Sequence, residues 1–203
     1  MRRSSLTDFL VRGLFQLWAP TYDLSPSQVF LYRPVHRAVL RAVDRLQVSP
    51  GCVLDLGCGT ARLTEDLSLR SAGARVVGVD RSSGMLRAAR RRLGRSSPPL
   101  VEGDAYALPF GDGVFALVTS TFAYHWLLEP AAALSEIRRV LRPGGYLVLG
   151  TLVARLIPGV YLGMRLVTER RHREDLASAG FDIASSERVG GWTVILTARR
   201  PDQ

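Results

Sequence analysis

The amino-acid sequence predicts an α/β fold, a doubly wound sheet that closes with an antiparallel hairpin. Three observations predict it. Apolar runs of strand length alternate with helical stretches between residues 52 and 151. The first run, VLDLGCGTARL, stops at a turn carrying Gly57 and Gly59 and then opens a helix. Two final strand-like runs, about 181–189 and 192–199, are joined by Gly190-Gly191, a hairpin signal.

Taken in order, the chain begins with an amphipathic helix at about 5–18. Leu6, Phe9, Leu10, Leu14, Leu17 and Trp18 fall on its one apolar face. A second helix at about 34–47 has Pro34 in its first turn, where the missing N–H costs nothing. Strands follow at about 52–56, 75–80, 99–102, 114–120 and 145–151, with helices at about 61–70, 83–93 and 130–141 between them. ARVVGVD and VFALVTS are continuous apolar runs, as parallel strands covered on both faces require. Pro143-Gly144-Gly145 stops the helix ending in Arg142 and turns the chain into YLVLGT. Residues 152–167 are apolar apart from Arg155 and Arg165 and are broken by Pro158-Gly159. A helix at about 171–179 then runs into Gly180. One domain is expected over 1–203: a helical cap (1–48), a core (49–151), an apolar lid segment (152–170), and a helix with the hairpin (171–203).

No apolar run reaches the ~20 residues that cross a bilayer, and no signal-peptide pattern opens the chain, so a cytoplasmic protein is expected. Cys52 and Cys58 flank one strand, a spacing that suits neither a disulfide framework nor a zinc site; no metal is expected. The net charge of +9 is carried by arginine, since the chain has no lysine. Those arginines are spread over helical segments as solvated faces, and charge alone does not choose between nucleic acid, an anionic membrane and an acidic substrate.

In a doubly wound sheet, the turn after the first strand is the default cofactor site. A dinucleotide asks for G-x-G-x-x-G, and Arg62 stands where the third glycine belongs. Asp80 ends the second strand, placed to accept hydrogen bonds from ribose hydroxyls. Asp104, in EGDAYALPF, is placed to accept one from an adenine amino group.

With VLDLGCGTARL, VVGVDRSSGML, EGDAYALPF and ALSEIRRVLRPGGYLVLG in that order over about residues 48–151, the chain resembles the class I S-adenosylmethionine (SAM)-dependent methyltransferases. The resemblance implies a Rossmann-like seven-stranded sheet whose last strand is antiparallel, and SAM as cofactor. It implies that Gly57 and Gly59 let the backbone approach the methionine part and that Asp55 organises the turn. Asp80 would hold the ribose, Asp104 would meet the adenine amino group, and Ala105 would add a backbone contact. Met85 and Tyr106 would wall the adenine pocket, and Ser120 would lie where the fourth strand opens onto the methyl group. Ala61 stands where the family often has a further glycine.

The sulfonium methyl is already electrophilic, so the residues that act on the acceptor are weakly constrained; a base is needed only where the attacking atom must lose a proton. His125, in STFAYHW, is the candidate base, and Tyr22, in WAPTYD, the candidate contact to cofactor or substrate. WAPTYD, DAYALPFGDGVFALVTSTF and AGFDIASSERVGGWTVILTARR are similar to the ubiquinone/menaquinone C-methyltransferase group. This chain lacks that group's longer tyrosine-rich stretch before the last helix. The acceptor expected is small and apolar or lipid-like, with peripheral membrane contact through the segments 5–18 and 152–167. Two alternatives stay open: a nucleic-acid methyltransferase, although no Asn/Asp-Pro-Pro-aromatic turn follows the fourth strand, and a SAM-binding protein of this fold without methyl transfer.

Overall fold

The computed structural model describes residues 13–46, 51–70, 73–154, 159–161 and 164–202. Its sheet has seven strands: β1 (Cys52–Leu56), β2 (Arg75–Asp80), β3 (Leu100–Glu102), β4 (Phe115–Thr121), β5 (Leu141–Leu152), β8 (Asp182–Val189) and β9 (Thr193–Arg199). Their spatial order is β3-β2-β1-β4-β5-β9-β8. The first five run parallel, and β9 pairs antiparallel with both β5 and β8. The terminal hairpin and the seven strands therefore stand as expected.

Why these runs are strands follows from their burial. Phe115 to Ser120 are all buried along β4, as are Thr193 to Ala198 along β9, so neither strand has a solvent face. Helix α1 (Arg33–Leu46) covers one side of the sheet with Val35, Ala38 and Val39, which join Val53, Leu117, Val148 and Ile195. On the other side, α4 (Pro130–Val140) places Leu134 and Ile137 against Leu54, Val118 and Leu149. Full burial of one such side chain contributes about 1.5–3 kcal/mol. Helices α2 (Arg62–Arg70), α3 (Ser83–Leu93) and α5 (Glu169–Ser178) complete the two layers.

Two boundaries differ from the sequence reading. The helix expected to end at Arg142 ends at Val140, and β5 begins at Leu141. Pro143-Gly144-Gly145 lies inside the strand as an irregularity: Gly144 N–H donates to Arg200 O at 3.0 Å, and Arg200 N–H donates to Gly145 O at 2.8 Å. The neighbouring strand's exit thus holds extended a segment whose local chemistry signals a stop. Within the expected lid, β6 (Gly159–Tyr161) and β7 (Met164–Leu166) form a small antiparallel hairpin. The amphipathic helix expected over 5–18 lies outside the described residues up to 12, and 13–18 is helical. Among the described residues no helix is long and apolar enough to cross a membrane.

Strand order reverses at β1, so β2 and its helix leave to one side and β4 to the other. The carboxyl ends of β1, β2 and β4 therefore flank a crevice, the place where open α/β sheets bind ligands.

Candidate active site

At the end of β1 the chain turns through Gly57, with φ +75°. A side chain there would set its Cβ 2.2 Å from Ala123 Cβ, so the turn and the loop after β4 approach closely only because residue 57 is glycine. The turn is tied inward. Gly57 and Cys58 N–H both donate to Val79 O, at 2.7 and 3.0 Å, and Gly59 N–H donates to Asp80 Oδ2 at 2.8 Å. Asp80 Oδ1 accepts from Ser82 N–H at 2.8 Å. One carboxylate thus braces the β1 turn against the start of α3, and burial raises its pKa above the usual carboxylate range.

Asp55 lies deeper. Its oxygens accept from Thr64 Oγ1 at 2.6 Å and Thr119 Oγ1 at 3.0 Å, binding α2 and β4 to β1. Burial pushes its pKa up to about 6, against the lowering effect of those two hydroxyls.

Between these elements opens a cleft with about 920 Å³ of empty space, part of it continuous with solvent. Tyr22, Gly57, Gly59, Asp80, Met85, Asp104, Ala105 and Ser120 all line it. Asp55 lines a smaller adjoining recess that shares Tyr22, Gly57 and Gly59 with the cleft. Eight candidate residues from five separate stretches of chain are thereby brought together.

Two are not. Tyr106 lies outside the lining. Asp104 Oδ1 accepts from Tyr106 N–H at 3.0 Å in a tight turn that swings the tyrosine away, and its hydroxyl accepts from Glu129 N–H at 3.3 Å. His125, the candidate base, is also outside it. Phe122 has φ +55°, and after this bend Phe122, Ala123, Trp126 and Leu127 face the cleft while Tyr124 and His125 are buried away from it. His125 Nδ1 is buried without a hydrogen-bond partner, and burial pushes the ring's pKa down to about 3. An imidazole so placed is a poor proton acceptor.

The roof of the cleft is aromatic, and most of it escaped the sequence reading. Phe15 meets Trp126 edge to face at 5.1 Å, Trp18 meets Tyr22 at 4.9 Å, Tyr22 meets Tyr32 at 5.6 Å, and Tyr32 meets Phe122 at 4.7 Å. Phe15 is out of phase with the apolar stripe of its helix, and that misfit was the available signal. The Tyr22 hydroxyl is desolvated and faces Tyr32, which raises its pKa well above the ordinary phenol value. Gln16 Nε2 donates to Ser83 Oγ at 2.9 Å, seating this cap on the first turn of α3. Asp23 clasps it from the other side, accepting from Arg62 Nε at 2.8 Å and Thr60 Oγ1 at 2.9 Å. Arg62 thus takes the third-glycine position of a dinucleotide turn and there holds the cap.

Residues 54–149 match the family model described as a methyltransferase domain. Among curated proteins, the chain is 40% identical over 139 residues to a demethylmenaquinone methyltransferase of Thermus thermophilus, covering 67% of this chain and 63% of that protein. It is 38% identical over 136 residues to a malonyl-[acyl-carrier protein] O-methyltransferase of Geobacter sulfurreducens, covering 66% of this chain and 50% of the relative. The chain therefore spans less than two thirds of either relative's length. Among solved structures, the 1,6-didemethyltoxoflavin-N1-methyltransferase of Burkholderia thailandensis superposes with a TM-score of 0.79 at 22% identity, covering 100% of this chain and 92% of that one. Over residues 54–149, just under half of its length, the chain is thus similar to methyltransferase domains, and its seven-stranded sheet has the fold of the solved neighbour.

Proposed function

We propose that the cleft binds SAM and that the protein transfers its methyl group to a small, apolar or lipid-like acceptor. One observation carries the choice of cofactor. The N–H groups of Gly57, Cys58 and Gly59 are already bonded to Val79 and Asp80. A dinucleotide would need such N–H groups for its pyrophosphate, whereas SAM presents no phosphate to this turn. Each Asp80 oxygen accepts one backbone hydrogen bond and keeps a second lone pair for a ribose hydroxyl. Asp104 lines the same cleft with Ala105 beside it and Met85 walling it, an arrangement that fits an adenine ring and its amino group.

When bound, SAM supplies a methyl group that is already electrophilic. The chain's part is then to orient and to exclude water. Phe15, Tyr22, Tyr32 and Trp126 supply apolar cover, and Ser120 Oγ, buried without a partner on the cleft wall, offers a hydrogen bond to a polar atom of the acceptor. Tyr22, held protonated by burial, acts as a donor that orients an acceptor oxygen, not as a base. His125 stays outside this chemistry. The aromatic lining supports an acceptor with a flat or apolar body, in keeping with one relative's demethylmenaquinone substrate.

Titration calorimetry with SAM and NAD separates the cofactors. SAM is expected to bind, and Asp80→Ala is expected to weaken it by about tenfold or more, the loss of a buried carboxylate–hydroxyl pair. Tight binding of NAD with none of SAM would overturn the proposal.

A further inference from the structure

The cap has an outer face as well as an inner one. Nine large apolar side chains are exposed among the described residues, and five of them, Leu14, Leu17, Leu24, Val29 and Phe30, fall between residues 14 and 30. Leu17, Leu24 and Phe30 are 85%, 81% and 82% exposed. Single exposed leucines are ordinary, but a concentration of apolar residues on one segment marks a contact surface. The same segment roofs the cleft from inside with Phe15, Tyr22 and Tyr32.

Charge selects the partner. Arg33 and Arg37 follow Phe30 by three and seven residues at the start of α1; both are exposed, and neither is in an ion pair among the described residues. Protruding leucine and phenylalanine beside unpaired arginine is the composition that inserts apolar groups below a headgroup layer while cations meet the phosphates. The whole chain, at +9, is drawn the same way. We infer that the outer face of the cap, through Leu17, Leu24 and Phe30 with Arg33 and Arg37, docks on an anionic lipid bilayer. Its use rests on the lipid-like acceptor proposed above: the docked segment is the cleft's own roof, so such an acceptor passes from bilayer to cleft beneath it.

The test floats the full chain with vesicles of phosphatidylcholine containing phosphatidylglycerol, against phosphatidylcholine alone, at physiological salt. Binding to the anionic vesicles, weakened by added salt, is expected. Leu24→Ser with Phe30→Ser is expected to lower partitioning about tenfold or more. Arg33→Gln with Arg37→Gln is expected to abolish the preference for anionic over neutral vesicles. Both double variants should bind SAM as the unaltered chain does, which also reports that they fold. Wild-type protein left unbound by both vesicles would overturn the inference, as would sedimentation showing that Leu24 and Phe30 instead join two copies of the chain. Loss of SAM binding with vesicle binding intact would strike the proposed function and leave this surface standing.

Discussion

Asp80 and Gly57 show how single residues set the site. The place of Asp80 on the cleft wall was legible because it ends the second strand beside the glycine turn; its bracing of Gly59 and Ser82 was not, since hydrogen bonds to a side chain leave no mark in spacing. At Gly57 both the left-handed φ and the 2.2 Å approach to Ala123 forbid a side chain. Gly57→Ala is expected to lower the unfolding free energy by about 2–4 kcal/mol, read from urea denaturation. A variant as stable as the parent would show that this turn relaxes freely. Arg62 was legible only as an objection to a dinucleotide, because its partner Asp23 lies 39 residues back and belongs to another element.

At the scale of elements, the continuous apolar strands and amphipathic helices announced themselves, and the parallel order followed. What failed were places where tertiary contacts overrule local chemistry. Pro143-Gly144-Gly145 reads as a stop but is held as strand by Arg200, and Phe122 takes a positive φ that no aromatic residue advertises. The second bend is why His125 looked poised for catalysis and is buried instead. The β6–β7 hairpin illustrates another invisible tie. Arg165 and Asp175 meet at 2.6 Å with side chains 12% and 8% exposed, joining β7 to α5. Asp175→Ala leaves Arg165 buried without its counter-charge, and a loss of about 3 kcal/mol is expected by thermal denaturation, with faster hydrogen exchange across the hairpin. Unchanged stability would mean that Arg165 reaches water once released.

For the molecule as a whole, the three histidines act together. Burial pushes His36 down to about 4 and His125 to about 3, and lowers His172 as well. In the unfolded chain each titrates near 6.5, so below that pH the unfolded state takes up protons that the fold refuses. Stability is therefore full above about pH 6.5 and falls as pH drops toward about 4, by up to about 1.4 kcal/mol per pH unit for each histidine. Asp55, raised to about 6, works in the opposite direction over about pH 4–6 and offsets part of one histidine's share. The melting temperature is expected to be lower at pH 5 than at pH 7. Equal values at both would mean that the histidines are protonated in place.

The double duty of Asp80 has a consequence for descent. The carboxylate proposed to hold the ribose also ties the β1 turn to α3, so a lineage that replaced it would loosen its own architecture together with the proposed donor site. The cap and the small hairpin carry no such obligation. Selection can rewrite them while Asp80 and its turn stand still, and relatives named for acceptors as different as demethylmenaquinone and malonyl-[acyl-carrier protein] are similar to this chain's middle.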